Sequence, residues 1–284
     1  KGSRKQVKRG QKEYERLADH IGLLPAVMIS PYDMNLVTGF SEDRRRFMDG
    51  VIAQYDRAYL ESLLNYNRLL SQRNALLKHM AIEGIRKSET LDILSMQMEG
   101  PAQHIYETRK AFLERLTAVF QDYYERLSGG KEQVSLTYQS HLHEKSQKEW
   151  LLEHTSRDLV LQHTGRGVHK DDLVFQLGEY AVKRMGSQGQ QKTYLIALKL
   201  SQYALMAEIK KVKPILMIDD VFDKLDEHRV ASLMKLIATE AFGQVFITDA
   251  HTGRLPAIFT QPGVDAEIYE VNEGAVKKPL TAES

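Results

Sequence analysis

Two adjacent carboxylates, Asp219 and Asp220, follow directly on a short apolar run, Ile215 to Ile218. A run that short, preceded by Pro214, is expected to be a strand buried on both faces. Acids at its carboxyl end stand where open α/β sheets gather their ligands. Two acids there can divide two tasks. One can hold a Mg²⁺ ion, largely through its water shell, and the other can polarise a water for attack on a phosphate. Farther on, Asp226 closes a Leu-Asp pair. A second stretch fits the same chemistry. Gly186 and Gly189 permit close backbone approach, and Ser187 between them is a favoured helix cap. The residues from Thr193 to Met206 are apolar nearly all round, as in a buried helix. A small polar loop opening such a helix presents free N–H groups to a phosphate.

Other candidates are weaker. Ser128-Gly129-Gly130-Lys131 has the look of a phosphate loop, but position 125 is Glu and Lys131 is followed by Glu132. The motif needs Gly at the first position and Ser or Thr after the Lys. Gly129 and Gly130 are better read as a helix C-cap. His141, His143, His154, His163 and His169 match no compact zinc-ligand spacing, and His169 reads as a structural histidine.

These groups must be positioned by a chain of 284 residues, long enough for one large or two small domains. Its 42% apolar content supports a core, and its net charge of +1 excludes a global field for nucleic acid, leaving only local patches. With no Cys, disulfides and thiolate metal sites are excluded. No apolar run is long enough to span a membrane.

The pattern predicts a short strand within residues 23–28, a long helix over 41–80 capped by Ser41, a short helix over 91–99, and a second long helix over 102–127 beyond Gly100-Pro101. The apolar stripes of the two long helices are expected to bury each other as an antiparallel hairpin. A strand is expected at 133–142, a helix at 143–158, strands at 173–177 and 244–248, a helix at 227–240, and a final strand at 267–271. The first residues, Lys1 to Lys12, carry six basic groups and no acid. They read as a solvated or disordered arm, or, like Arg44-Arg45-Arg46, as candidate phosphate contacts. The three arginines oppose the dipole of their helix, so they require partners, either carboxylates of the protein or phosphates.

Several blocks carry a resemblance. SPYDMNLVTGFSEDRRRFMD (residues 30–49), TGRGVHKDDL (164–173) and GSQGQQKTYLIALKL (186–200) are similar, in collinear order, to blocks of the RecF family of bacterial recombination mediators. They depart from the family at Tyr32 and Val168. Residues 213–226 resemble the Walker B strand and D-loop of ABC-type ATPases, and the Ser187 loop resembles their signature loop, with Gln188 replacing its first Gly.

The resemblance implies an α/β ABC-type ATPase head, a P-loop fold left incomplete here, with an inserted α-helical lever: residues 1–41 end the first lobe, 42–150 form the lever, and 151–284 carry the signature loop, Walker B and D-loop. It implies Asp220 as catalytic base, Asp219 on Mg²⁺, and Ser187, Gly189, Gln190 and Asp226 on ATP. Asp249 and His251 remain alternative switch residues. It also implies an ATP-dependent homodimer in the bacterial cytoplasm, associated with the nucleoid. That dimer binds DNA at gaps and single/double-strand junctions, works with RecR-type mediators, and promotes RecA loading in repair, replication restart and the SOS response. A non-hydrolysing clamp head and an SMC-type chromosome head are the alternatives, the second disfavoured by the short lever. No Gly-x-x-x-x-Gly-Lys-[Ser/Thr] run occurs in the chain. The expectation is therefore a C-terminal fragment of the family length, without ATPase activity alone and with an open sheet edge.

Overall fold

The computed structural model describes residues 7–14, 20–239, 242–251 and 266–277. Lys1, Arg4 and Lys5 of the basic arm lie outside them. In chain order the elements are β1 (Lys8–Arg9), β2 (Lys12–Glu13), β3 (Ala26–Ile29), α1 (Asn35–Thr38), α2 (Ser41–Ile52), α3 (Arg57–Glu83), α4 (Glu89–Ser128), β4 (Val134–Gln139), α5 (Gln147–Glu153), α6 (Thr155–Leu161), β5 (Asp172–Leu177), β6 (Tyr180–Ala181), α7 (Val182–Met185), α8 (Gln188–Lys210), β7 (Ile215–Asp219), α9 (Glu227–Thr239), β8 (Val245–Thr248), β9 (Val271–Asn272) and β10 (Ala275–Val276). Among the described residues no helix is long and apolar enough to cross a membrane. The chain divides into two compact units, one of residues 1–25, 39–118 and 135–175 and one of residues 26–38, 119–134 and 176–284.

The first unit is built on the hairpin of α3 with α4. Ser62 Oγ lies 2.8 Å from His104 Nδ1, Arg73 Nε donates to Ser95 Oγ, and Leu77 and Met80 pack on Leu91, an antiparallel register. Gly84, at φ +69, ends α3 in the left-handed conformation that glycine enters without strain. The helix expected over 41–80 is two helices. Residues 53–56 leave the helical path, and the Asp56 carboxylate accepts from Tyr59 N at 2.8 Å, capping α3. Likewise Ser41 is not the cap of α2. Asp43 reaches back to the Phe40 N–H from inside the first turn. Conversely, the break expected at Gly100-Pro101 is absent, and α4 is one helix of 40 residues. Gly100 offers no Cβ to clash with the proline ring, and Met98, Ala102 and Ile105 around it are fully buried. The helix expected at 143–158 divides at His154 into α5 and α6.

Two buried arginines knit this unit. Arg109 donates to Asp171 Oδ2 at 2.6 Å, to the Val168 carbonyl at 2.8 Å and to Asp49 Oδ1 at 2.8 Å. Tyr59 and Tyr138 complete the node through Asp49 and Asp171. Arg73, wholly buried, donates to Asp158 Oδ2 and Thr164 Oγ1, both at 2.7 Å. The arginine triplet finds its partners here too. Arg44 forms a bidentate pair with Asp172, Arg45 donates to the Asp171 carbonyl, and Arg46 pairs with Glu42 on the surface. Residues 164–172 are thus an anchor for α2 and α4. Gly167, at φ +131, is required there, because a Cβ would lie 2.3 Å from Gln147 Oε1.

His169 belongs to the same anchor. Its Nε2 donates to the Thr164 carbonyl at 3.0 Å, so Nδ1 accepts from the Tyr66 hydroxyl at 2.7 Å and the ring is neutral. Burial pushes its pKa down to about 4. A folded pKa below the unfolded value near 6.5 means that protonation favours the unfolded chain, so stability falls as pH drops from about 6.5 towards 4. The expected loss is on the order of 2 kcal/mol by about pH 5. Urea unfolding across this range should show it, and His169→Gln should flatten the slope. An unchanged slope in the variant refutes the assignment.

The second unit holds the parallel sheet β3–β7–β8. Val27, Leu216 and Val245 align across it, as do Ile29, Ile218 and Ile247, and α8 packs against β3. β7 is not buried evenly on both faces. Leu216 and Ile218 are buried, whereas the neighbours of Met217 across the other face, Met28 and Phe246, are 45% and 50% exposed. Lys199 of α8 pairs with Asp33 at 2.8 Å, fixing the start of the Ser30 block. Gly129 and Gly130 end α4, both at φ +73, as the C-cap reading requires. The remaining strands form the sheet β4–β5–β6 and two hairpins. The strand expected at 267–271 is replaced by the hairpin β9–β10, whose two-residue turn, Glu273 at φ +50 and Gly274 at φ +80, has type I′ signs and brings Val271 opposite Val276.

Candidate functional site

All six residues singled out for phosphate chemistry lie in the second unit. Asp219 ends β7, opposite Thr248 at the end of β8. The Thr248 hydroxyl donates to Asp219 Oδ1 at 2.5 Å and orients the carboxylate. Asp220 follows at φ +48, with its N–H donating to the Thr248 carbonyl at 3.2 Å. A left-handed aspartate is tolerated more easily than most residues. Lys224, at φ +64, is a second non-glycine left-handed residue just beyond, and bent backbone of this kind concentrates at functional sites. His251 N donates to Asp249 Oδ1.

The Ser187 loop is a reciprocal cap on α8. Ser187 Oγ accepts from Gln190 N at 3.2 Å, and Gln190 Oε1 accepts from Ser187 N at 2.8 Å. Ser187 and Gln188 are exposed at the start of this helix of 23 residues. The glycines face the protein's own backbone. A Cβ on Gly186 would lie 2.7 Å from the Val182 carbonyl, and one on Gly189 would lie 3.2 Å from the Lys224 carbonyl.

The loop therefore sits on the turn that carries Asp226. Lys192 Nζ donates to the Asp223 carbonyl at 2.6 Å. Asp226 caps α9 by accepting from Arg229 N at 2.8 Å, a bond that leads the causes holding its carboxyl below the usual range. The Arg229 guanidinium also reaches Asp226 Oδ2, Thr193 Oγ1 and Glu132 Oε1. The structure thus brings Ser187, Gly189 and Gln190 to the Asp226 turn, and Asp219 with Asp220 to the carboxyl end of the sheet. It adds four residues that the sequence reading missed: Thr248, Glu132, Thr193 and Arg229. Only Thr248 had a visible signal, as the polar end of the next predicted strand.

An arrangement of this kind suits a polyphosphate with a divalent cation. One oriented carboxylate at a sheet end fits a cation that keeps most of its waters. Among the described residues no cluster of three or more His, Asp or Glu forms a protein-only metal cage.

No family model matches the chain. Among curated proteins it is similar to the DNA replication and repair protein RecF of Bacteroides fragilis, 45% identical over 276 residues that cover 97% of this chain and 74% of that protein. It is also similar to that of Flavobacterium johnsoniae, 45% identical over 91% of this chain and 72% of that protein, and to that of Porphyromonas gingivalis, 41% identical over 97% and 75%. Among solved structures it is similar to the recombination mediator RecF with ATP, described for the RecFOR pathway, at a TM-score of 0.79 and 25% identity over 96% of this chain and 72% of that one. The ATPrS form matches at 0.77 and 26% over 94% and 71%. The fold is accordingly an α/β ABC-type ATPase head with an inserted helical lever.

Proposed function

This chain belongs to the RecF family of DNA replication and repair proteins, and on that premise we propose that it is an ATP-dependent, DNA-binding recombination mediator. It acts at single-strand gaps and at junctions of single- and double-stranded DNA. It promotes RecA loading together with RecR-type partners, in repair, replication restart and the SOS response, at the nucleoid. The observation that carries this reading is the capped Ser187 loop seated on the Asp226 turn, in one compact unit with the paired acids at the end of β7.

In this reading Ser187, Gly189 and Gln190 meet the γ-phosphate of a nucleotide held by a second protomer. The start of α8, where Ser187 and Gln188 are exposed, would present its N-terminus and the Ser187 hydroxyl to the anion. Asp226 lies at the same protomer boundary. Asp219, oriented by Thr248, would hold Mg²⁺, which would supply charge neutralisation to the phosphates of a bound nucleotide. Asp220 orients the attacking water and draws its proton. Asp249 or His251 senses the γ-phosphate. Residues 42–150 serve as the lever. Arg44 and Arg45 are committed to Asp172 and the Asp171 carbonyl, so of the triplet only Arg46 faces outward for a DNA phosphate.

The test is ATP-driven self-association, followed by analytical ultracentrifugation on a polypeptide of the relatives' length that includes these 284 residues. Ser187→Arg is expected to abolish it, because a long cation fills a loop that must approach phosphate closely. Circular dichroism of the variant should match the parent, since Ser187 is exposed. A variant that still dimerises with ATP removes the loop from the interface.

A further inference from the structure

We propose that Glu132 and Arg229 are a positioning couple that ties the Ser187 loop to the Asp226 turn, so that the two segments are presented to nucleotide as one unit. The inference rests on the reading of those segments given above and adds the device that holds them. Its basis is an unbroken set of hydrogen bonds. Ser187 is closed onto Gln190. The other end of the Gln190 amide, Nε2, donates to Glu132 Oε1 at 3.1 Å. That same oxygen accepts from Arg229 Nη2 at 2.7 Å. Arg229 Nη1 donates to Thr193 Oγ1 at 2.7 Å, in the first turn of α8, and Arg229 Nε donates to Asp226 Oδ2 at 3.1 Å. The second oxygen of Glu132 accepts from the Tyr124 hydroxyl, which anchors the couple on the end of α4.

Both side chains are largely withdrawn from water, Arg229 to 11% and Glu132 to 17% exposure. Burial alone would raise the Glu132 pKa, but the bonds from Tyr124, Gln190 and Arg229 outweigh it and hold the group ionised. An ion pair this buried is a poor source of stability compared with apolar packing. What it does supply is direction: three nitrogens of one planar fork fix three acceptors at once. A lysine, with a single ammonium on a flexible stem, cannot reproduce that geometry.

The test is amide hydrogen–deuterium exchange on the chain without nucleotide. Arg229→Gln and Glu132→Gln are each expected to accelerate exchange in residues 190–193 and 229–232 together, by about tenfold or more. The double variant should exchange no faster than the faster single variant, because both remove one coupling. Arg229→Lys should behave like Arg229→Gln. Acceleration confined to the mutated element, additive effects in the double variant, or full restoration by lysine each overturns the proposal. Should Arg229→Gln fail to fold, Glu132→Gln, close in shape to the parent, carries the comparison between the two segments. A parallel ultracentrifugation arm with ATP–Mg²⁺, on a polypeptide of the relatives' length that includes these residues, separates the two levels. Coupled exchange without ATP-driven association upholds the couple and removes the nucleotide reading beneath it.

Discussion

Asp220→Asn is expected to leave ATP binding intact and to slow single-turnover hydrolysis by roughly 10²–10⁴-fold, the contribution of a positioned acid or base to its chemical step. The choice of Asn is structural. Asp220 occupies φ +48, and Asn enters the left-handed region as readily as Asp does, whereas Ala would add strain and confuse the outcome. The amide keeps the backbone bond to the Thr248 carbonyl and nearly the side chain's size. It cannot take a proton from water. Fluorescent-nucleotide titration and a quenched-flow time course, on a polypeptide of the relatives' length containing these residues, give the two readouts. Hydrolysis at the parent's rate would sink the assignment of Asp220. A parent that binds ATP, assembles and never hydrolyses it would instead favour the non-hydrolysing clamp.

The second large effect is on stability. Arg109→Ala is expected to lower the unfolding free energy by about 3–5 kcal/mol, because it strands two carboxylates in a dry site. Asp171 is almost wholly enclosed with the guanidinium, and Asp49 is partly so. The Val168 carbonyl and the Tyr59 hydroxyl lose their donor as well. Arg109→Lys should recover only part of the loss, since one ammonium cannot satisfy acceptors supplied by α2, α3 and the 168–171 turn. Urea unfolding of the parent and both variants measures it. A change below about 1 kcal/mol, typical of an exposed pair, would show that water reaches the node.

The sequence disclosed what is local. The run Ile215 to Ile218 became β7 with Asp219 at its end, and Ser187 became the cap of α8, because an apolar period and a capping residue act within a few positions of themselves. Gly129 and Gly130 ended α4 for the same reason. What misled was competition between local preference and packing. Gly100-Pro101 signalled a break that the buried Met98, Ala102 and Ile105 overrode. Asp56 broke a helix whose apolar period ran on without interruption, because its side chain offered Tyr59 N a better partner than the next turn. The Glu132–Arg229 couple was invisible, since its members stand 97 residues apart and each reads as one more surface charge. The arginine triplet was half-legible. Its position in a first turn demanded partners, yet nothing nearby could say that they were Asp171 and Asp172.

Arg73 bears on the order in which the chain folds. The α3–α4 hairpin is local in sequence, and helical hairpins of that kind ordinarily form early. Here its centre contains a guanidinium whose acceptors, Asp158 and Thr164, lie 85 and 91 residues farther along the chain. Until those groups arrive, closing the hairpin would bury an uncompensated charge. Its two helices are therefore expected to stay apart, or hydrated at Arg73, until α6 and the loop after it have docked. A contact that is tight in the finished molecule would thereby delay the tightening of its most local part, and the centre of the hairpin would close only once α6 and the loop after it supply Asp158 and Thr164.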